Sequence, residues 1–220
     1  MAADELLPDP LPAEPMPMFA SWFSDARTRQ VQPNPDAMVL ATIADNGAPS
    51  ARVVLCKRLV ADQGFIVFFT NYESRKGREL TARPRAAAVF HWDVLHRQVR
   101  LEGPILRSPA PESDQYFATR AFESRIGAWA SKQSEPLASR AQLTNQVREV
   151  MDHLGLGPGA QGEVPRPAHW GGFRLWVDTI ELWSEGAGRI HDRAQWRRTL
   201  TKKDEFSYAG GPWNATRLNP

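Results

Sequence analysis

Residues 52 to 80, RVVLCKRLVADQGFIVFFTNYESRKGREL, set cationic and hydroxyl side chains at the ends of two apolar runs. Arg52 and Lys57 flank the first run, and Thr70, Asn71, Ser74, Arg75 and Lys76 follow the second. The segments 52–56 and 65–70 are short, β-branched and aromatic, and Ala61-Asp62-Gln63-Gly64 between them carries a turn signal, so a hairpin is expected. Glu73 to Leu80 has helical composition, which puts the cations at a strand-to-helix junction. Such a junction combines free backbone N–H groups, a hydroxyl and fixed positive charge, the donors that a phosphate monoester takes. A solvated basic face is the competing reading of Arg75-Lys76, and the presence of Arg52 and Lys57 on the same unit favours the anion site.

A second constellation lies near the C-terminus. Arg189, His191 and Arg193 alternate in a segment expected to be a strand over 189–200, and a period of two puts all three on one face. Two guanidinium groups and an imidazole in a row face either water or a bound anion, because a core-facing row without partners is costly. Smaller polar groups are Gln98 with Arg100, then Arg120, Ser124 and Arg125 beyond a helix carrying Tyr116, then Lys132, Gln133 and Ser134 after the apolar IGAW. There is no GxxxxGK[ST], no GxGxxG after a strand and no HExxH, and the five histidines are scattered. Nucleotide hydrolysis, zinc chemistry and a metal site are therefore not expected. The single cysteine, Cys56, lies mid-strand and reads as packing. Of the eight tryptophans, most belong in the core, and some are free to stack on a planar ligand.

These groups need a scaffold, and the 220 residues suffice for one domain with a full core. Residues 1–13 read as a flexible, proline-punctuated lead-in, and 14–220 as a single domain. Phe19, Trp22, Phe23 and Ala26 mark one face of a helix ending near Arg29. Strands are expected over 37–44 and 50–56, joined at Asn46-Gly47, a strong hairpin signal. Further strands are expected over 65–70, 86–92 and 97–107, the last with a bulge or bend at Gly103-Pro104. Five antiparallel strands in this order imply a barrel, mainly β with flanking helices. Two helices follow, one around Tyr116 and Phe117 and one within 135–154. Residues 155–167 form a loop, 173–183 and 189–200 a further hairpin, and 213–218 a last strand. The N-terminus has no apolar h-region and no apolar run reaches membrane length, so a cytoplasmic protein is expected, with no membrane partner. A net charge of +2 without a long basic run points to small phosphorylated ligands and not to nucleic acid.

Taken together, RVVLCK (52–57), FFTNYESRKGREL (68–80), HRQVRLEG (96–103), RIGAWASKQSEPLASRAQL (125–143), WGGFR (170–174) and ELW…RIHDR (181–193) resemble the pyridoxamine 5′-phosphate oxidase family. The likeness runs from about residue 11 to the C-terminus. It implies an FMN-binding split β-barrel, a homodimer with FMN in two clefts at the subunit interface, and a C-terminal dimerisation hairpin region. It also implies oxidation of pyridoxamine or pyridoxine 5′-phosphate to pyridoxal 5′-phosphate, with O2 reoxidising the flavin and H2O2 released. The family's FMN contacts fall on Arg52, Val53, Val54, Leu55, Cys56, Lys57, Phe69, Thr70, Arg75, Lys76 and Gln98, with Gln133, Ser134, Trp183 and Arg193 added by the partner subunit. Its substrate-phosphate contacts fall on Lys57, Tyr116, Arg120 and Ser124, and Arg189 and His191 match the catalytic pair bordering the pyridine ring. Arg52 and Lys57, read as sharing one strand, would point to opposite faces, one toward the flavin phosphate and the other toward the substrate.

The sequence departs from that pattern in three places. MAADELLPDP has none of the Arg, Lys or Tyr of the N-terminal arm that family members often close over the substrate, Phe69 stands where many relatives have Tyr, and 199–211 reads as an insertion. Two alternatives stay open: a sister flavin oxidase of the same fold, of the phenazine-pathway type, and a flavin- or B6-binding protein without turnover.

Overall fold

The computed structural model describes residues 6–157 and 162–220. The Asn46-Gly47 turn forms as its chemistry dictates: Gly47 takes φ +84°, a conformation that costs glycine nothing. It joins β1 (Ala37–Ile43) to β2 (Pro49–Leu55), paired antiparallel from Ala37 opposite Leu55 to Ile43 opposite Pro49. Then come β3 (Arg58–Val60), β4 (Phe65–Asn71), β5 (Arg85–Trp92) and β6 (Arg97–Arg107). Later strands are β7 (Trp170–Trp176), β8 (Thr179–Ser184), β9 (Asp192–Arg197), β10 (Leu200–Lys202), β11 (Tyr208–Gly210) and β12 (Asn214–Leu218). The helices are α1 (Met16–Thr28), α2 (Arg75–Ala82), α3 (Ala110–Ala118), α4 (Phe122–Ala130) and α5 (Arg140–His153).

One sheet runs β12-β9-β8-β6-β5-β1-β2, and β6 also leads through β7 to β4 and β3. The result is a split β-barrel, mainly β with flanking helices. Strand β6 makes the split possible because its first half pairs with β8 and its last three residues, from Ile105, pair with β7. The bend expected at Gly103-Pro104 sits at that switch. A Cβ on Gly103 would lie 1.8 Å from the Trp176 carbonyl oxygen, so only glycine lets the two strands cross here.

The same switch corrects two expectations. The stretch 173–183 is two strands, not one: β7 serves the second sheet and β8 the first, with Asp178 N–H donating to the Glu102 carbonyl at the break. The 61–64 turn joins β3 to β4, so the hairpin expected between 52–56 and 65–70 does not form, whereas β2 pairs with β1 as the Asn46-Gly47 turn signal predicts. Cys56 and Lys57 carry the chain between sheets, their N–H groups donating to the Asp36 and Val67 carbonyls. Lys57 therefore lies beyond the strand that holds Arg52, and the opposite-faces argument for that pair fails.

Near the C-terminus the expected strand 189–200 is shorter. A 3₁₀ turn spans Ala187–Arg189, Arg189 takes φ +67°, and β9 begins only at Asp192. The row of Arg189, His191 and Arg193 on one strand face does not form. Residues 199–211 fold as the β10–β11 hairpin, whose Tyr208 packs on Trp176 at 5.9 Å between ring centroids. The expected last strand forms as β12, which pairs with β9.

Packing follows the apolar patterns. Helix α1 buries Phe19, Trp22, Phe23 and Ala26, and its two phenylalanines meet Phe90 of β5. Trp92, Trp176 and Trp196 are fully buried, as expected of most tryptophans here. A second cluster of Phe117, Ile126, Ala128, Val164 and Trp170 fastens α3 and α4 to β7. The lead-in expected over residues 1–13 is strapped down over its described part. Leu7 is buried and its N–H donates to Asp192 Oδ2 (2.7 Å), while Trp196 Nε1 donates to the Pro12 carbonyl (2.8 Å). Residues 1–5 of that segment, and 158–161 of the loop expected over 155–167, lie outside the described residues. No helix among the described residues is long and apolar enough to cross a membrane.

Candidate functional site

Strand β4, apolar on both faces, delivers Phe69 and Thr70 to its end, and α2 starts four residues later with Ser74 as N-cap. The Ser74 side chain accepts from Gly77 N–H, which fixes the first turn and sets Arg75 and Lys76 beside Thr70. Lys76 is buried, and its Nζ donates to Thr70 Oγ1 at 3.1 Å and to Gln133 Oε1 at 3.5 Å. Burial pulls the Lys76 pKa down, the Arg52 charge adds to this, and Glu79 opposes it. A buried cation whose direct partners among the described residues are neutral oxygens stands ready for an anion.

These groups form one end of a cavity of about 830 Å³. Its wall includes Arg52, Val53, Val54, Leu55, Lys57, Phe69, Thr70, Arg75, Lys76, Gln133 and Ser134, all expected to contact a cofactor. Cys56 does not line it. Its side chain points into the core, its thiol donates to the Arg58 carbonyl, and burial pushes its pKa up to about 12. Gln133 and Ser134, expected from the partner subunit, reach the cavity within the same chain. The reason is the end of α4: Asn71 Nδ2 donates to the Ser131 carbonyl (3.3 Å), docking the segment after that helix against β4.

Lys57, Tyr116, Arg120 and Ser124, the residues expected to clamp a substrate phosphate, also line this cavity. Aromatic stacking holds two of them: the Tyr116 ring lies 4.1 Å from Phe69, Phe69 is 5.5 Å from Trp170, and the Arg120 guanidinium sits 4.6 Å over Trp170. Phe69 keeps the ring needed for this stack, which has no use for a hydroxyl. Arg120 Nη1 is buried with no hydrogen-bond partner among the described residues. Burial pulls the Arg120 pKa down against the opposing influence of Tyr116, and burial pushes the Tyr116 phenol up against that of Arg120. The phenol stays protonated and can donate. The cavity wall thus carries cations from two stretches of chain, Arg52, Arg75 and Lys76 on one hand and Lys57 and Arg120 on the other, together with the apolar Val53, Val54 and Leu55. The orphaned Arg120 Nη1 and the donor set of Thr70, Arg75 and Lys76 therefore fit the expected pairing of FMN with a phosphorylated substrate.

Besides Cys56, five expected residues do not line this cavity. Gln98, Trp183 and Arg193 share one register row across β6, β8 and β9, so Gln98 groups with the two residues expected from a partner and not with Arg52. Arg193 is pinned by Glu181, whose Oε1 accepts from its Nε (3.0 Å) and Nη2 (2.8 Å). His191 lies against Trp183 at 4.7 Å, and its Nδ1 accepts from Gly186 N–H (3.3 Å), leaving Nε2 as the protonated nitrogen. Arg189 is exposed on the turn beside it. Residues lining or backing the cavity that were not read from the sequence as contributors include Ser50, Ser131, Trp170 and Glu79. Only Glu79 had a usable signal, its spacing of four from Arg75 on α2.

Comparison with known proteins finds the family model "Pyridoxamine 5'-phosphate oxidase" over residues 24–153 and "Pyridoxine 5'-phosphate oxidase C-terminal dimerisation region" over residues 170–220. A pyridoxine/pyridoxamine 5′-phosphate oxidase of Burkholderia lata is 47% identical over 94% of this chain and 89% of its own. That of Gluconobacter oxydans is 46% identical over 96% of both. Among solved structures, PhzG from Burkholderia lata, in complex with tetrahydrophenazine-1-carboxylic acid, covers 100% of both chains at TM-score 0.82 and 28% identity. A pyridoxamine 5′-phosphate oxidase-related, FMN binding protein from Nostoc punctiforme shares the fold at TM-score 0.68 and 14% identity.

Proposed function

The chain belongs to the pyridoxamine 5′-phosphate oxidase family, and from that premise we propose that it oxidises pyridoxamine or pyridoxine 5′-phosphate to pyridoxal 5′-phosphate, with FMN as cofactor, O2 as acceptor and H2O2 as by-product. The observation that carries this reading is the wall of Lys57, Tyr116, Arg120 and Ser124 with its unpartnered Arg120 Nη1. That wall offers two charges and two hydroxyls to a second phosphate, beyond the phosphate taken by Thr70, Arg75 and Lys76.

Bound FMN supplies acceptance of a hydride and the return of its electrons to oxygen. The protein's share is placement. Lys57, Tyr116, Arg120 and Ser124 grip the substrate phosphate, and that remote binding energy fixes the carbon to be oxidised against the flavin ring. Thr70, Arg75, Lys76 and Gln133 hold the cofactor phosphate, while Val53, Val54 and Leu55 line the path of the ring. In a homodimer, the row of Gln98, Trp183 and Arg193 from one subunit closes the partner's cavity, and His191 and Arg189 come with it. There His191 donates from Nε2 to the substrate and Arg189 covers the open face of the pyridine ring. Support for the dimer is the apolar sheet face left open by one chain, where Val39 is 42% and Val53 66% exposed and the two are register partners.

The structural likeness to PhzG gives a second reading, an oxidase acting on a tricyclic carboxylate. Such a substrate carries no phosphate for the four-residue wall. Steady-state turnover separates the two: the proposal expects pyridoxal 5′-phosphate and equimolar peroxide from pyridoxamine 5′-phosphate. Turnover of a reduced phenazine carboxylate alone would shift the assignment to the sister activity.

A further inference from the structure

Behind Arg52 and Arg75 lies a carboxylate that does not itself line the cavity yet bonds to residues that do. Glu79 is on α2, one turn after Arg75, and only 7% exposed. Its Oε1 accepts from Arg75 Nε (2.9 Å), and its Oε2 accepts from Arg52 Nη2 (3.2 Å). The Ser50 hydroxyl donates to it at 3.0 Å and the Thr42 hydroxyl at 2.5 Å. One carboxylate thus joins β1, β2 and α2 through four side chains. Arg52 in turn donates to Thr42 and Ser50, so its guanidinium has little freedom to turn.

We propose that Glu79 is a positioning residue for flavin binding, holding Arg52 and Arg75 in the orientation that meets the cofactor phosphate. The inference rests on the FMN reading above and adds to it a residue outside the expected contact set. Charge supports it as well. Arg52, Arg75 and Lys76 place three positive charges at this end of the cavity, Glu79 subtracts one, and the remainder matches a phosphate dianion. Without Glu79 the three cations repel one another and the two guanidinium groups lose their common acceptor.

The test uses the full chain stripped of flavin, titrated with FMN and with riboflavin by quenching of flavin fluorescence, for wild type, Glu79→Gln and Glu79→Asp. Loss of charge-assisted hydrogen bonds at two arginines raises the FMN Kd of Glu79→Gln about tenfold or more. The riboflavin Kd, which involves no phosphate, stays within about twofold, because a residue acting through the phosphate end has no hold on the bare ring. Glu79→Asp keeps the charge but withdraws it by one methylene, and it weakens FMN by a smaller, still phosphate-specific factor. Equal weakening of both flavins would show that Glu79 merely holds the fold. FMN binding that is unchanged or tighter in Glu79→Gln would show that net charge outweighs orientation, and either result overturns the proposal. If Glu79→Gln does not fold, Glu79→Asp alone decides: unchanged FMN affinity overturns the proposal. Wild-type protein that takes up riboflavin as well as FMN overturns the inference alone, and wild type that takes up neither overturns the FMN reading too.

Discussion

Replacing Arg120 with methionine separates a ligand-binding cation from a structural one, because its effects on stability and on activity are expected to diverge. In the free protein the guanidinium has one buried donor without a partner and lies over Trp170 at 4.6 Å and Phe117 at 5.6 Å. An unsatisfied buried donor costs about 1–3 kcal/mol. The cation–π contacts return about 1–2 kcal/mol, and methionine keeps the apolar packing. Arg120→Met therefore changes stability by no more than about 2 kcal/mol, moving Tm by no more than about 8 °C in a chain of this size. With substrate bound the balance differs, since a charge-assisted bond to phosphate is worth about 1.5–3 kcal/mol. Its loss lowers kcat/KM for pyridoxamine 5′-phosphate by about tenfold to 150-fold. The assay compares that substrate with dephosphorylated pyridoxamine, for which kcat/KM changes by less than about threefold. Equal losses on the two substrates, or a large fall in Tm with unchanged kcat/KM, would refute the assignment of Arg120 to a phosphate.

Further outcomes follow from the same geometry. Burial raises the Glu79 pKa, but hydrogen bonds from Thr42, Arg75, Ser50 and Arg52 outweigh it and bring the group from 4.5 to about 2. A depressed folded-state value stabilises above the unfolded pKa and is lost as pH falls, so about 3 kcal/mol disappears between roughly pH 4.5 and pH 2. Denaturant unfolding at a series of acid pH values should show this component in wild type and not in Glu79→Gln. Cys56, with its thiol at about 12, should not react with an aromatic disulfide reagent in the native protein and should titrate fully in denaturant. Gly103→Ala forces a methyl group to within 1.8 Å of the Trp176 carbonyl and should cost at least about 3 kcal/mol, read by unfolding or by loss of soluble protein.

Local chemistry explains which parts were legible in the sequence. The Asn46-Gly47 turn, the α1 face of Phe19, Trp22 and Phe23, and the cation-bearing start of α2 each depend on neighbours within a few residues. Pairing across the split does not. Nothing near Val53 says that β2 does not also pair with β4, and the three-residue β3 hides behind Lys57. The alternation of Arg189, His191 and Arg193 is genuine in the sequence, yet Gly186 N–H bonding to His191 Nδ1 keeps the chain turning until Asp192. Motif likeness assigned Gln133 and Ser134 to the partner subunit, whereas they line the cavity of their own chain, because docking of Ser131 on Asn71 is a tertiary event. Glu79 has no local signature beyond its spacing of four from Arg75, and its bonds to Thr42, Ser50 and Arg52 come from distant strands.

The most direct test of the central claim is the anaerobic reaction of the purified yellow protein with pyridoxamine 5′-phosphate, followed by its visible spectrum. The proposed function predicts that the flavin bleaches, and that colour returns with one equivalent of peroxide when air is admitted. A flavin that stays oxidised with pyridoxamine and pyridoxine 5′-phosphates, while bleaching with a reduced phenazine carboxylate, would contradict it.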